Sequence, residues 1–482
     1  MIVFSDVLRI KGEQKAVSIG FKYQLETSGR IIMRVRLIIN LLIVTSLLLN
    51  INAVLAQTGG QIKLGARQLV FDKEKFAATF KDRVSKFSGP LNGYAAVIIR
   101  DGFVLGEVAD GWAVRSDGKV LKDTPMTTST PTDIGSCMKL ISFIALLSVL
   151  EKKAIKDGAS SINTPIYLHK SISNYLPRRW KNFVEFPPTD LPGEQKLAIK
   201  RAGSITLAQL MQHKSGFRKS ETPYKSPTAP FHMIYNGVKA KNVGVRDYEN
   251  FNATLLTYLW PMLVDPVAAK IIEDEIDNKK IAIDDRLAYG KIYGNFFEKW
   301  MQTNIFNVLK LPIRPSCDAA NDYSKRNPSV TFARYYNDLL GGANPSYWSE
   351  KDKNGGCHAQ GGYYMSMREF ATLMATFQTS NVLVSDKVRK LMYDDNNNLT
   401  RDARLGWGGT FQSNFAKTYF GAQEIPYQDG ANLGFAGVVQ LPGGYIAVGA
   451  ITGRLPGAEG GGDIVVALKD AWGEALRANF EQ

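Results

Sequence analysis

Apolar residues recur along this chain with two different periods. Tyr94-Ala-Ala-Val-Ile-Ile99 and Val104-Leu-Gly-Glu-Val108 flank Arg100-Asp-Gly102. They read as strand, turn and strand, because Asp-Gly suits a tight hairpin. Gly434–Leu441 and Tyr445–Ile451 read as two more strands, followed by a glycine-rich turn at 457–462 and a last helix from about Ile464 to Ala478. Between these ends the spacing is helical. Phe71 to Ser88 predicts an amphipathic helix, and Leu140 to Leu150 is apolar all round, as in a helix buried in the middle of a domain. Thr206-Leu-Ala-Gln209 is a capping box opening a short helix, Leu207 to His213, which Gly216 ends. Tyr248 to Leu263 predicts a Pro-ended apolar helix and Tyr289 to Leu309 another. Ser366-Met-Arg-Glu369 opens a helix with Phe370, Leu373, Met374 and Phe377 facing inward. Residues 157–203, with Pro165, Pro177, Pro187, Pro188 and Pro192, read as an irregular lobe edge, and 312–362 as loop-rich. Strands at both ends with helices between predict an α+β fold. One antiparallel sheet is built from both chain ends, flanked by helices, and carries a mainly helical second lobe.

Composition narrows the class. At 482 residues and 45% hydrophobic, the chain has ample core for one large domain with a lobe. The formal net charge of +14 leaves +10 once residues 1–56, themselves +4, are set aside. With no dense basic block and no nucleic-acid motif, that excess reads as scattered solvated lysines, and no nucleic-acid partner is expected.

Residues 33–56 carry a local signal of another kind. Met33-Arg-Val-Arg36 is a basic stretch, Leu37 to Leu49 an apolar core, and Val54-Leu-Ala56 a small-residue end before Gln57. This is the pattern of a secretory signal peptide cleaved after Ala56. It divides the chain into an upstream extension of doubtful standing (1–32), the signal (33–56), a linker (57–70) and one domain (71–480). A periplasmic or secreted protein with no stable membrane span after cleavage is expected, since the apolar core is short for an anchor. In an oxidising compartment Cys317 and Cys357 have the opportunity to pair. Cys137 reads as a small core residue. Cys357-His358 lacks a second ligand pair at a zinc-like spacing, so no metal is expected.

The candidate chemistry sits at the mouth of the buried helix, in Asp133-Ile-Gly-Ser-Cys-Met-Lys139. Residues i and i+3 share a helix face, so the Ser136 hydroxyl and the Lys139 amine are placed to share a proton. Ser116-Asp-Gly-Lys119 has the same spacing but reads as a turn between strands. The glycine before Ser136 and the apolar helix after it separate the two. The bland readings are a capping serine and a snorkelling lysine.

With Ile134-Gly-Ser-Cys-Met-Lys139 as a Ser-x-x-Lys motif, the chain resembles the serine β-lactamase-like and penicillin-binding-protein-like hydrolases over roughly residues 70–480. The likeness is to the branch with class C β-lactamases, D-amino-acid-releasing peptidases and related esterases. Ile205-Thr-Leu-Ala-Gln-Leu-Met-Gln-His-Lys-Ser-Gly-Phe217 is similar to a structural segment of that family, and Ala359-Gln-Gly-Gly-Tyr-Tyr-Met-Ser366 to its Gly-Gly segment before a late helix. The family's Tyr-x-Asn has two candidates, Tyr248-Glu-Asn250 and Tyr293-Gly-Asn295; the surroundings favour Tyr248 and Asn250, with Tyr293 as core. The third motif departs from the family. Counting back from Gly434-Phe435 puts Gln428-Asp-Gly430 where relatives have Lys-Thr-Gly or His-x-Gly, so a glycine is kept and a cation lost. Lys417-Thr418 lacks the glycine and reads as coincidence.

The resemblance implies acyl transfer through a covalent intermediate with no cofactor. Ser136 would be the nucleophile, Lys139 its base and Tyr248 the proton relay. Asn250 would hydrogen-bond substrate or hold Lys139, and the N–H groups of Ser136 and Ala431 would form the oxyanion hole. Gly430 would let substrate backbone approach the strand. Gln428 and Asp429 point to a small-molecule or peptide-like substrate that is a neutral ester or amide, or one carrying an amine. The alternative is a catalytically silent relative that binds cell-envelope fragments or a partner protein.

Overall fold

Asp101 and Gly102 take φ values of +49° and +87°, the left-handed pair that a two-residue hairpin turn demands. They join β1 (Tyr94–Arg100) to β2 (Phe103–Asp110), with Arg100 opposite Phe103. Four later strands, β3 (Gly409–Gln412), β4 (Glu424–Ala431), β5 (Phe435–Leu441) and β6 (Tyr445–Ile451), complete a six-stranded sheet in the order β2-β1-β6-β5-β4-β3. All its pairings are antiparallel. The chain ends meet at its centre, where Tyr445–Ile451 runs against Arg100–Tyr94. The computed structural model describes residues 62–64, 67–88, 92–116, 122–219, 230–311, 331–336, 358–393, 404–422, 424–431, 435–453 and 462–477. The signal segment, Cys317, Cys357, the turn before Lys119 and most of the glycine-rich turn lie outside them.

The strand sequences are apolar on both faces because both faces of the sheet are covered. Along β1, Tyr94, Ala96 and Ile98 face one core while Ala95, Val97 and Ile99 face the other. The first core is closed by α1 (Lys73–Ser88) and the last helix, α6 (Gly462–Arg477), through Phe76, Phe80, Leu468 and Trp472. On the opposite face lie α2 (Cys137–Lys156), which packs on β4 and β5, and α5 (Met367–Thr379), which packs on β1 and β6. Both predicted capping boxes form, at Thr206/Gln209 and Ser366/Glu369. Phe370, Leu373, Met374 and Phe377 are all buried.

The helical lobe departs from expectation in three places. Residues 157–203 hold two helices, Arg178–Glu185 and Gly193–Ser204, and Pro177 and Pro192 stand directly in front of them. A proline at the start of a helix removes an N–H that has no partner there anyway, so these breakers are starts. The helix expected from Tyr248 begins at Phe251, as α3 (Phe251–Val264), and Pro261 lies inside its last turn. The chain stays helical because Asp265 N still bonds to Pro261 O at 2.8 Å. It then bends by 118° into a further helix, Pro266–Asn278, capped by the Asp265 carboxylate. The helix expected over Tyr289–Leu309 is α4 (Arg286–Met301) followed by a π-helical turn at Gln302–Phe306. Among the described residues no single helix is long and apolar enough to cross a membrane.

Trp472 is fully buried against Phe415, Phe420 and Tyr445. Trp472→Ala is expected to cost about 3–5 kcal/mol of folding stability through loss of apolar contact and the cavity left behind. Urea unfolding followed by circular dichroism measures it, and an unchanged midpoint would mean that α6 is not docked as described.

Candidate active site

Ser136 occupies the N-cap position of α2, with φ −65° and ψ −8°, yet its side chain makes no capping hydrogen bond. Its Oγ instead lies 2.6 Å from Lys139 Nζ. Lys139 is 1% exposed, so it does not snorkel to water. Its second hydrogen bond is to the Gln360 carbonyl, at 3.0 Å. Both bland readings of the pair are therefore excluded by geometry. The approach to the helix is fixed by the Asp133 carboxylate, which accepts from Gly135 N at 2.7 Å, and by Ile134 N bonding to Tyr363 O. Cys137 is buried, and its Sγ donates to Gln428 O at 3.4 Å. Burial, then the nearby Asp429 carboxylate, push its thiol well up, which keeps it protonated and unreactive.

Strand β4 borders the pair. Its partner β3 ends at Gly409 opposite Tyr427, while β5 continues alongside as far as Ala431. Gln428 to Ala431 therefore form a sheet edge on the β3 side. A Cβ at Gly430 would fall 2.2 Å from Ile134 O and 2.8 Å from Ser136 N. The glycine is thus required by the backbone in front of α2. Gln428 is fully buried; its Nε2 donates to Asp429 O at 2.6 Å and to Tyr248 Oη at 3.2 Å. Because a carbonyl only accepts, the first bond fixes which way the amide faces. Asp429 is half-buried. Burial raises its carboxyl pKa, and the Lys139 amine opposes that shift.

Tyr248 is 38% exposed and stacks on His213, with ring centroids 4.4 Å apart. Lys139 Nζ stands 5.3 Å from the tyrosine ring centroid. Tyr248 shares no hydrogen bond with Ser136; its oxygen accepts from Gln428 instead. His213 adopts φ +54° and is buried. Its Nδ1 accepts from Glu249 N at 3.3 Å and from Asn252 Nδ2 at 3.2 Å, which leaves the ring proton on Nε2. Burial first, then the Lys139 and Arg246 cations, push its pKa down to about 3, so the ring is neutral. Asn252 Oδ1 in turn accepts from Ser215 Oγ. These bonds tie the His-Lys-Ser-Gly loop to the start of α3 and place Tyr248.

Asn250 is exposed at the N-cap of α3, and its side chain makes no hydrogen bond among the described residues. The grip on Lys139 expected of it belongs to Gln360 O. Tyr293 is buried, with its hydroxyl donating to Glu273 Oε1 at 2.7 Å, a core position as expected. Lys417 is exposed on a short helix, Asn414–Phe420. Ser136, Lys139, Tyr248, Gln428, Asp429 and Gly430 are thus gathered in one place. The sequence reading gave no role to Gln360 and treated His213 as part of a structural segment. The signals were present: a glycine pair after Gln360, and a histidine three residues before Gly216. Among the described residues no group of His, Cys, Asp and Glu gathers as a metal site.

Comparison with known proteins bears on the fold that carries these residues. Residues 76–260 match the family model for beta-lactamase. No curated protein matches the sequence. Among solved structures, the class C beta lactamase from Rhodobacter sphaeroides is similar at 16% identity and TM-score 0.50, over 83% of this chain and 98% of that one. FmtA from Staphylococcus aureus is similar at 17% identity and TM-score 0.51, over 88% and 92%. The D-amino acid amidase from Ochrobactrum anthropi SV3 is similar at 16% identity and TM-score 0.50, over 85% and 98%. At such identities the structural likeness carries the fold. The chain has a β-lactamase-like fold, and within it residues 76–260 resemble the beta-lactamase family.

Proposed function

We propose that this protein is a serine hydrolase acting on an ester or amide through a covalent acyl-enzyme. The observation that carries the reading is the buried Lys139 amine 2.6 Å from a Ser136 hydroxyl that is not used as a helix cap. In the first step the Lys139 amine acts as the base and takes the hydroxyl proton as Oγ bonds to the substrate carbonyl carbon. The N–H groups of Ser136 and Ala431 receive the developing oxyanion. The bond to the leaving alcohol or amine then breaks, and Tyr248, recharged from Lys139, returns the proton to it. Water reverses the sequence and frees the acid. Asn250, exposed beside Tyr248, meets the substrate.

Strand β4 sets the substrate class. Gln428 brings no positive charge, and Asp429 presents a carboxylate, so a substrate carboxylate there is repelled while a neutral or amine-bearing group is accepted. The likeness of fold to a D-amino acid amidase supports an amide. We further propose export through the 33–56 signal and action in the periplasm or outside the cell.

A fluorophosphonate probe read by mass spectrometry is expected to modify Ser136, and Ser136→Ala or Lys139→Ala to lose at least 100-fold in labelling rate. Absence of any adduct and of turnover across a broad ester, amide and β-lactam panel would instead support the silent binder, a reading the lost cation also suits. Gln428→Lys is expected to raise kcat/KM for carboxylate-bearing substrates by about tenfold or more over neutral ones, since a charge-assisted contact is worth roughly 1.5–3 kcal/mol. An unchanged ratio would remove the strand from the specificity argument.

His213 adds a pH dependence. Its folded pKa lies below the unfolded value of 6.5, so the unfolded chain takes up a proton that the folded one refuses. Stability is therefore fully present above about 6.5 and is lost as pH falls toward about 3, at roughly 1.4 kcal/mol per unit. His213→Asn, which tolerates a positive φ, is expected to flatten the fall in melting temperature between about pH 6 and about pH 4. An equally steep curve in the variant would assign the acid sensitivity elsewhere.

A further inference from the structure

Polar side chains buried on apolar helices need partners, and in this domain several of them converge on one short segment beside the reacting pair. Thr254 and Thr257 lie one turn apart on α3, and both are buried. Thr254 Oγ1 donates to Gln360 Oε1 at 2.5 Å, and Thr257 Oγ1 accepts from Ala359 N at 2.9 Å. From the other side, fully buried Ser142 donates its hydroxyl to Ala359 O at 3.0 Å. Ser142 is three residues beyond Lys139 and so shares its face of α2. A Cβ at the following Gly361 would sit 3.1 Å from Gly135 O, so the segment lies directly against the Ser136 loop.

We propose that Thr254, Thr257 and Ser142 are positioning residues. They clamp Ala359-Gln360 between α2 and α3, so that the Gln360 carbonyl holds the Lys139 amine in the rotation that aims its lone pair at Ser136 Oγ. The inference rests on the reading of Ser136 and Lys139 as the reacting pair and adds what keeps them aligned. A neutral amine has one lone pair and two N–H groups. Fixing one N–H on a rigid carbonyl leaves the lone pair a narrow choice of directions, and Ser136 Oγ, whose proton it would accept, already lies 2.6 Å away. The clamp also joins the helix that follows Tyr248 and Asn250 to the helix that carries the nucleophile. One set of three side chains thus couples the two halves of the site.

The test uses the full-length protein and the near-isosteric variants Thr254→Val and Thr257→Val. With a fluorophosphonate probe, the maximal rate of Ser136 labelling is expected to fall about tenfold or more, as for other small misalignments of reacting groups. The half-saturating probe concentration should stay the same while the midpoint of the pH–rate profile moves. Thr254→Ser, which keeps the hydroxyl, should restore the rate. If both valine variants merely melt earlier, with rate and pH midpoint unchanged while Ser136→Ala abolishes labelling, the clamp is structural and the proposal fails. A crystal structure of Thr254→Val reads the clamp without any activity. A lengthened Lys139 Nζ to Gln360 O separation supports it, and one kept at 3.0 Å overturns it, even if wild-type Ser136 proves unreactive and the proposed function falls.

Discussion

An amine taken out of water must have its hydrogen-bonding groups answered by protein, because an unanswered one costs more than the packing around it returns. Lys139 imposes that condition at the centre of this domain. It is answered by a hydroxyl one helical turn earlier and by a carbonyl from a segment 221 residues later in the chain. Much of the site's construction serves the second partner. The 359–362 segment lies close against the loop before α2, where a side chain at 361 would be tight, and it is held there by hydroxyls from two helices. The same loop presses against β4 closely enough to require Gly430. The start of α2 is therefore enclosed by backbone on two sides, and Ser136 emerges in the gap between them.

Lys139 and Asp429 share the site with the uncharged Gln428 amide, the Tyr248 ring and the His213 ring. His213 is kept uncharged by burial and by its cationic neighbours. A neutral ring allows Tyr248 to stack on it without adding a further positive charge beside the lysine. Gln428 reaches Tyr248 from strand β4 by a hydrogen bond, with no charge of its own.

The hairpin, both capping boxes, the inward face of α5 and the central buried helix follow from residue types acting over a few positions. All of them were legible in the sequence. So was the pairing of Ser136 with Lys139, since three residues on a helix fix a shared face. The helices at Arg178–Glu185 and Gly193–Ser204 were not, because a proline marks a helix start as readily as a break and only the following contacts decide which. The bend after Val264 was hidden for the same reason.

What lay beyond local reasoning is everything that joins distant segments. No spacing rule relates Gln360 to Lys139, Gln428 to Tyr248 or Thr254 to Gln360. Each pairing depends on how the sheet places its edges and how α3 crosses α2. Sequence alone determined the fold class and the pairing of Ser136 with Lys139, because hydrophobic periodicity and the spacing of one helical turn are local properties. Tertiary structure alone decided that Ser136 is not a cap, that Gly430 answers to the protein's own backbone, and that a carbonyl, not Asn250, holds the lysine. A side chain's type is local information, whereas its partner is set by packing across the whole domain.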